Sequence, residues 1–84
     1  MKIVKLYADW CGPCRVLEDM LRRCDIKHES VDAESPDGEG LSIKYHVRNL
    51  PTLLILDDDE NLLRKMTGLP KSTDELTNFI YATN

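Results

Sequence analysis

Cys11 and Cys14, separated by Gly12 and Pro13 and preceded by Trp10, are the residues whose type and spacing point most directly to chemistry. Before them, Lys2 to Ala8 carries the apolar and aromatic content of a short strand, and after them apolar residues recur at helical spacing, so the two thiols straddle a predicted helix N-terminus. There the unpaired N–H groups and the positive end of the helix dipole favour negative charge, and the first thiol is expected to ionise more readily than a free cysteine at about 8.5. The thiolate is the form that attacks disulfides. Cys11, at or just before the first helical residue, is expected to reach solvent and act as nucleophile. Cys14, in the first turn with its side chain directed back towards the helix start, is expected to resolve the mixed disulfide. Pro13 has a φ preorganised for the start of a helix, and Gly12 lets another chain approach closely.

The elements that must position this pair read β-α-β-α-β-β-α. The first helix is expected from about Cys11 to Cys24, with Cys14, Leu17, Leu21 and Cys24 on its inward stripe and Arg15, Glu18, Arg22 and Arg23 left mostly to solvent. A strand around Lys27 to Asp32 follows, parallel to the first. Ser35-Pro36 reads as an N-cap and first-turn proline, but Gly38 and Gly40 weaken the segment, so regular helix is expected over about Leu41 to Val47. Leu53 to Leu56 is a buried strand, and the acidic cluster Asp57 to Asn61 turns the chain into Leu62 to Thr67, giving an antiparallel hairpin. Ser72-Thr73-Asp74-Glu75 fits a capping box that starts a last helix burying Leu76, Phe79 and Ile80.

The segment Tyr7-Ala8-Asp9-Trp10-Cys11-Gly12-Pro13-Cys14-Arg15 resembles the active-site segment of thioredoxins. Val47-Arg48-Asn49-Leu50-Pro51-Thr52 resembles the stretch in which that family places a cis proline opposite the dithiol, and Thr67-Gly68 is similar to the glycine that completes its peptide groove. The resemblance implies an α/β chain with the minimal thioredoxin fold: a four-stranded mixed sheet with flanking helices, lacking the N-terminal strand and helix of full-length members. It implies a thiol–disulfide oxidoreductase that reduces protein disulfides, with Cys11 and Cys14 catalytic and Trp10, Gly12, Pro13, Leu50, Pro51 and Gly68 framing a groove for extended peptide. The backbone of Leu50 would pair with substrate. Implied too are no cofactor beyond the redox-active Cys11–Cys14 pair, thioredoxin reductase as electron donor, disulfide-containing proteins as substrates, and action as a monomer.

Glutaredoxins share this shorter outline, and glutathione is the competing reductant. They generally carry an aromatic residue between the cysteines and a Gly-Gly before an acidic residue near the last helix, where this chain has Thr67-Gly68-Leu69-Pro70. A binding subunit with a dispensable dithiol is a further alternative. Two positions depart from the thioredoxin pattern: Lys5 occupies the place of a buried aspartate, and Tyr7 that of a tryptophan. Lys5 reads first as a strand lysine snorkelling to solvent; an ammonium close to the sulfurs would instead favour thiolates and make the couple more oxidising. Asp9 would act the other way on Cys11, though an exposed charge there is largely screened.

The remaining residues bound the function. Eighty-four residues make one domain, 1–84, with a thin core, and a net charge of −4 offers no basic stripe for nucleic acid. Met1 to Leu6 is too short and too basic for a secretory apolar segment, and no apolar run approaches a membrane span, so a cytoplasmic setting is expected for the three cysteines. Cys24 reads as a small core residue. Cys11, Cys14, Cys24 and His28 have the order of a structural zinc site, but a regular helix would hold the first pair roughly 15 Å from Cys24, so no metal is expected. His28 and His46 read as strand-start and helix-end residues without a catalytic role, and Trp10 as an exposed contact surface.

Overall fold

The computed structural model describes residues 1–82. Its elements are β1 (Lys2–Tyr7), α1 (Gly12–Arg23), β2 (Glu29–Asp32), α2 (Pro36–Lys44), β3 (Thr52–Leu56), β4 (Leu62–Thr67) and α3 (Thr73–Tyr81). The four strands form one mixed sheet in the order β2-β1-β3-β4. β1 runs parallel to β2 and antiparallel to β3, and β4 returns antiparallel to β3.

The two central strands carry apolar side chains on both faces because helices cover both faces. Ile3 of β1 and Leu53 and Ile55 of β3 pack with Leu17 and Leu21 of α1 and Leu76 and Ile80 of α3. Val4, Leu6, Leu54 and Leu56 lie on the opposite face with Tyr45, and Leu41 of α2 packs against them. Strand alternation therefore puts odd-numbered β1 residues under α1, and Lys5 shares that face with Ile3 and Tyr7. Phe79 and Cys24 pack against the first cluster while remaining partly exposed.

α1 begins one residue later than expected, with Cys11 as its N-cap and Cys24 as its C-cap. α2 departs more from the sequence reading: it starts at Pro36, not near Leu41, and ends at Lys44. Ser35 Oγ accepts the Gly38 N–H at 3.0 Å, so the helix is capped where the serine and proline pointed, and the two glycines do not delay it. Its end is set by His46, whose φ of 56° leaves the helical region. At α3, Ser72 Oγ accepts the Glu75 N–H at 3.1 Å, and Glu75 makes no return bond to Ser72 among the described residues.

Candidate redox site

The loop leaving β1 closes on itself, with Cys11 N–H donating to Ala8 O at 3.0 Å, and this sets Cys11 at the mouth of α1 in extended conformation. Cys11 and Cys14 are joined by a disulfide with their Cα atoms 5.3 Å apart. The Cys14 N–H points at Cys11 Sγ, 3.2 Å away, so the sulfur occupies the capping position that a serine or aspartate oxygen fills elsewhere. An anion on Cys11 would gain this hydrogen bond and the field of the helix N-terminus. Cys11 is 4 % exposed, well short of the solvent access expected from the sequence. Ala8, Tyr7 and Leu50 pack around the pair and cover it.

The Leu50-Pro51 peptide bond is cis, and Leu50 touches the disulfide cluster directly. Pro51 O accepts the Gly68 N–H at 2.8 Å, and Gly68 has a φ of +86°, a conformation few other residues adopt. Trp10 is exposed and forms, with Leu50, Asn49, Arg48 and Val47, one wall of a cleft of about 380 Å³. Gly12 and Pro13 are exposed, and a Cβ at Gly12 would meet nothing within 4 Å, so the surface beside the sulfurs is open.

The thioredoxin family model matches residues 1–82. The chain belongs to the thioredoxin family. It is similar to a thioredoxin of Porphyra purpurea, 32% identical over 79 residues that make up 89% of this chain and 74% of that protein. Thioredoxin C-2 of Corynebacterium nephridii is 31% identical over 83% of this chain and 68% of its own. Among solved structures, a single-site mutant of a thioredoxin from Halobacterium salinarum superposes with a TM-score of 0.76 at 32% identity, covering 93% of this chain and 69% of that one. Mitochondrial thioredoxin 3 of Saccharomyces cerevisiae, 22% identical, shares the fold at a TM-score of 0.75 over 96% of this chain and 76% of its own. The molecule is accordingly a thiol–disulfide oxidoreductase whose redox centre is the Cys11–Cys14 pair.

Close to the disulfide, the structure differs from the expectation drawn for Lys5. The lysine is 4 % exposed and does not snorkel to solvent, because β1 is flanked by β2 and β3 and its odd-numbered face lies under α1. Its ammonium makes a short ion pair with Glu18 of α1 and lies 5.4 Å from the centre of the Tyr7 ring. Glu18 is the residue that sequence reasoning misses. Helical periodicity assigns it to the solvent side, yet its Oε1 also meets His28 Nε2 at 2.9 Å and accepts from Ser30 Oγ at 3.3 Å, while Oε2 accepts from Arg22 Nε at 3.2 Å. Burial alone would raise the Glu18 pKa, but hydrogen bonds from Lys5 and His28 and their charges bring it down to about 2. The available signal is its place one helical turn after Cys14 on α1, facing a strand with a lysine at its centre.

A second cleft, of about 360 Å³, joins these groups to the dithiol. Lys5, Tyr7, Asp9, Cys14, Arg15 and Glu18 line it. Asp9 is exposed and turns its carbonyl to Arg15 Nη2 at 2.9 Å. Among the described residues no group of three or more His, Cys, Asp or Glu side chains could hold a metal, and no helix is long and apolar enough to cross a membrane. His46 stays outside the site, exposed just beyond the end of α2.

Proposed function

We propose that the 84 residues act as one thioredoxin-like domain that reduces protein disulfides, with Cys11 as nucleophile and Cys14 as resolving thiol. The observation that carries this reading is the capping geometry: Cys11 Sγ receives the Cys14 N–H at the mouth of α1, a position that favours an anion on Cys11 over one on Cys14. The Cys11 thiolate attacks one sulfur of a substrate disulfide, forming a mixed disulfide and releasing the other substrate sulfur as a thiolate. Cys14 loses its proton to solvent, attacks Cys11 Sγ and releases the second substrate thiolate. Two electrons pass to the substrate and the Cys11–Cys14 disulfide remains. Leu50 packs against the disulfide and shares a cleft with Trp10; with Gly12, Pro13, Pro51 and Gly68 they would hold the substrate as an extended segment laid across Leu50.

Return to the dithiol needs an external reductant. Thioredoxin reductase is favoured over glutathione because Gly68 is followed by Leu69 and Pro70, not by a second glycine and an acid. The protein would act as a monomer in the cytoplasm and without a cofactor, its cysteines supplying the whole electron pair. Cys14→Ser is the decisive variant: incubated with oxidised insulin it is expected to accumulate a stable mixed disulfide on Cys11, whereas Cys11→Ser should trap none and lose turnover. Sustained insulin reduction by Cys11→Ser would overturn the reading. Paired assays with thioredoxin reductase and NADPH, and with glutathione and its reductase, identify the donor.

A further inference from the structure

We propose that Glu18 is a positioning residue for the dithiol chemistry: it holds the Lys5 ammonium in the cleft that Cys14 borders and cancels its charge there. This rests on the reading of Cys14 as the resolving thiol. Three observations bring the groups together. Lys5 is nearly fully buried on the β1 face beneath α1 and is ion-paired to Glu18. Glu18 follows Cys14 by one turn of the same helix. Lys5, Glu18 and Cys14 line a single cleft.

The consequence follows from Coulomb's law in a partly desolvated site. The resolving step creates negative charge on Cys14, and a cation in the same cleft lowers its cost while an anion raises it. With both partners present the two effects nearly cancel. The other charged groups lining the cleft, Asp9, Arg15, Asp19 and Arg22, are exposed, and solvent screens them. Arg22 also pairs with Glu18, and Arg23 outside the cleft pairs with Asp19 at 2.9 Å. His28, from the segment before β2, and Ser30 of β2 bind Glu18 Oε1 and keep it turned to Lys5. The low pKa of Glu18, about 2, means that the carboxylate is charged throughout the working range and serves as a fixed counter-charge, not as a proton acceptor for Cys14.

Opposite signs for the two single substitutions are what distinguish charge balance from a structural role. Glu18→Gln leaves the Lys5 charge uncompensated, stabilises the thiolate form and makes the couple more oxidising. Lys5→Met removes the buried counter-charge of the carboxylate, leaving it His28 and the exposed Arg22, makes the couple more reducing and slows resolution. The test equilibrates wild type, Glu18→Gln, Lys5→Met and the double variant with glutathione redox buffers at pH 7, with stopped-flow decay of the mixed disulfide as a second readout. The single variants are expected to move the equilibrium constant in opposite directions by about three- to tenfold, tenfold being about 30 mV for a two-electron couple. The double variant, which lacks both charges of the Lys5–Glu18 pair, is expected to lie within about twofold of wild type. Shifts of the same sign, or no shift in either single variant, would overturn the proposal. If a single variant does not fold, a double variant displaced by more than about threefold would overturn it equally. Insulin reduction by wild type is run alongside: its absence refutes the reductase reading, whereas active wild type with unmoved equilibria refutes the role of Glu18 alone.

Discussion

Trp10 is 70 % exposed beside two cysteines that are almost wholly covered. A large aromatic held in water at the rim of a reactive site contributes little to folding and much to contact with a partner. Trp10→Ala is therefore expected to change unfolding free energy by less than about 0.5 kcal/mol. It should raise KM for a protein disulfide about fivefold or more, with kcat largely kept. A loss of stability comparable to a core truncation would show that Trp10 is structural. The place of Cys11 and Cys14 at a helix mouth and the exposure of Trp10 are legible in the sequence because they follow from local order along five residues. Lys5 and Glu18 are not, since a lysine in an apolar strand and a glutamate on a helix each look solvated. Only the packing of β1 under α1 shows that each supplies the other's counter-charge.

At the scale of elements, α2 holds the clearest contrast between what pattern and packing can tell. The glycines at 38 and 40 look alike in the sequence, yet a Cβ on Gly38 would overlap the backbone carbonyl of Asp32, whereas one on Gly40 would meet nothing within 4 Å. Gly38 thus lets α2 start immediately against the end of β2. Gly40 is an exposed helix interior position that alanine suits better. Gly40→Ala is expected to stabilise the protein by about 0.5–1 kcal/mol, and Gly38→Ala to destabilise it by roughly 2 kcal/mol, both read from urea unfolding curves. Equal effects would mean that α2 can shift away from β2 without cost. This also explains why the sequence signals the cap of α2 at Ser35-Pro36 but hides that its glycines do not delay the helix, while α1, β4 and α3 fall within a residue or so of expectation. Their signals are caps, periodicity and turn residues along the chain, whereas the tolerance of Gly38 depends on a strand end six residues earlier.

Across the whole molecule, Glu18 ties together elements that the hydrophobic clusters join only through apolar contacts. Its carboxylate meets Lys5 of β1, Arg22 of its own helix, His28 before β2 and Ser30 within β2. Folding therefore gives this carboxylate partners that it lacks in the unfolded chain, and its pKa falls from 4.5 to about 2. A group whose folded pKa is depressed contributes stability that is fully present above its unfolded value and is lost as pH falls towards the folded one. For Glu18 the window runs from about pH 5 down to about pH 2. Asp57 titrates in the same sense, because the Asn61 N–H, the Asn61 side-chain amide and the Asp59 N–H all bind its ionised form, but its contribution is common to wild type and a Glu18 variant. The difference between the two proteins isolates Glu18. Urea midpoints of wild type and Glu18→Gln, measured at several values between pH 7 and pH 2, are expected to be furthest apart near neutrality and to converge as the acid end of that window is approached. A separation that stays constant over the range would mean that the carboxylate is no better bound in the folded protein than in the unfolded chain, and that α1, β1 and β2 are held together by their apolar faces alone.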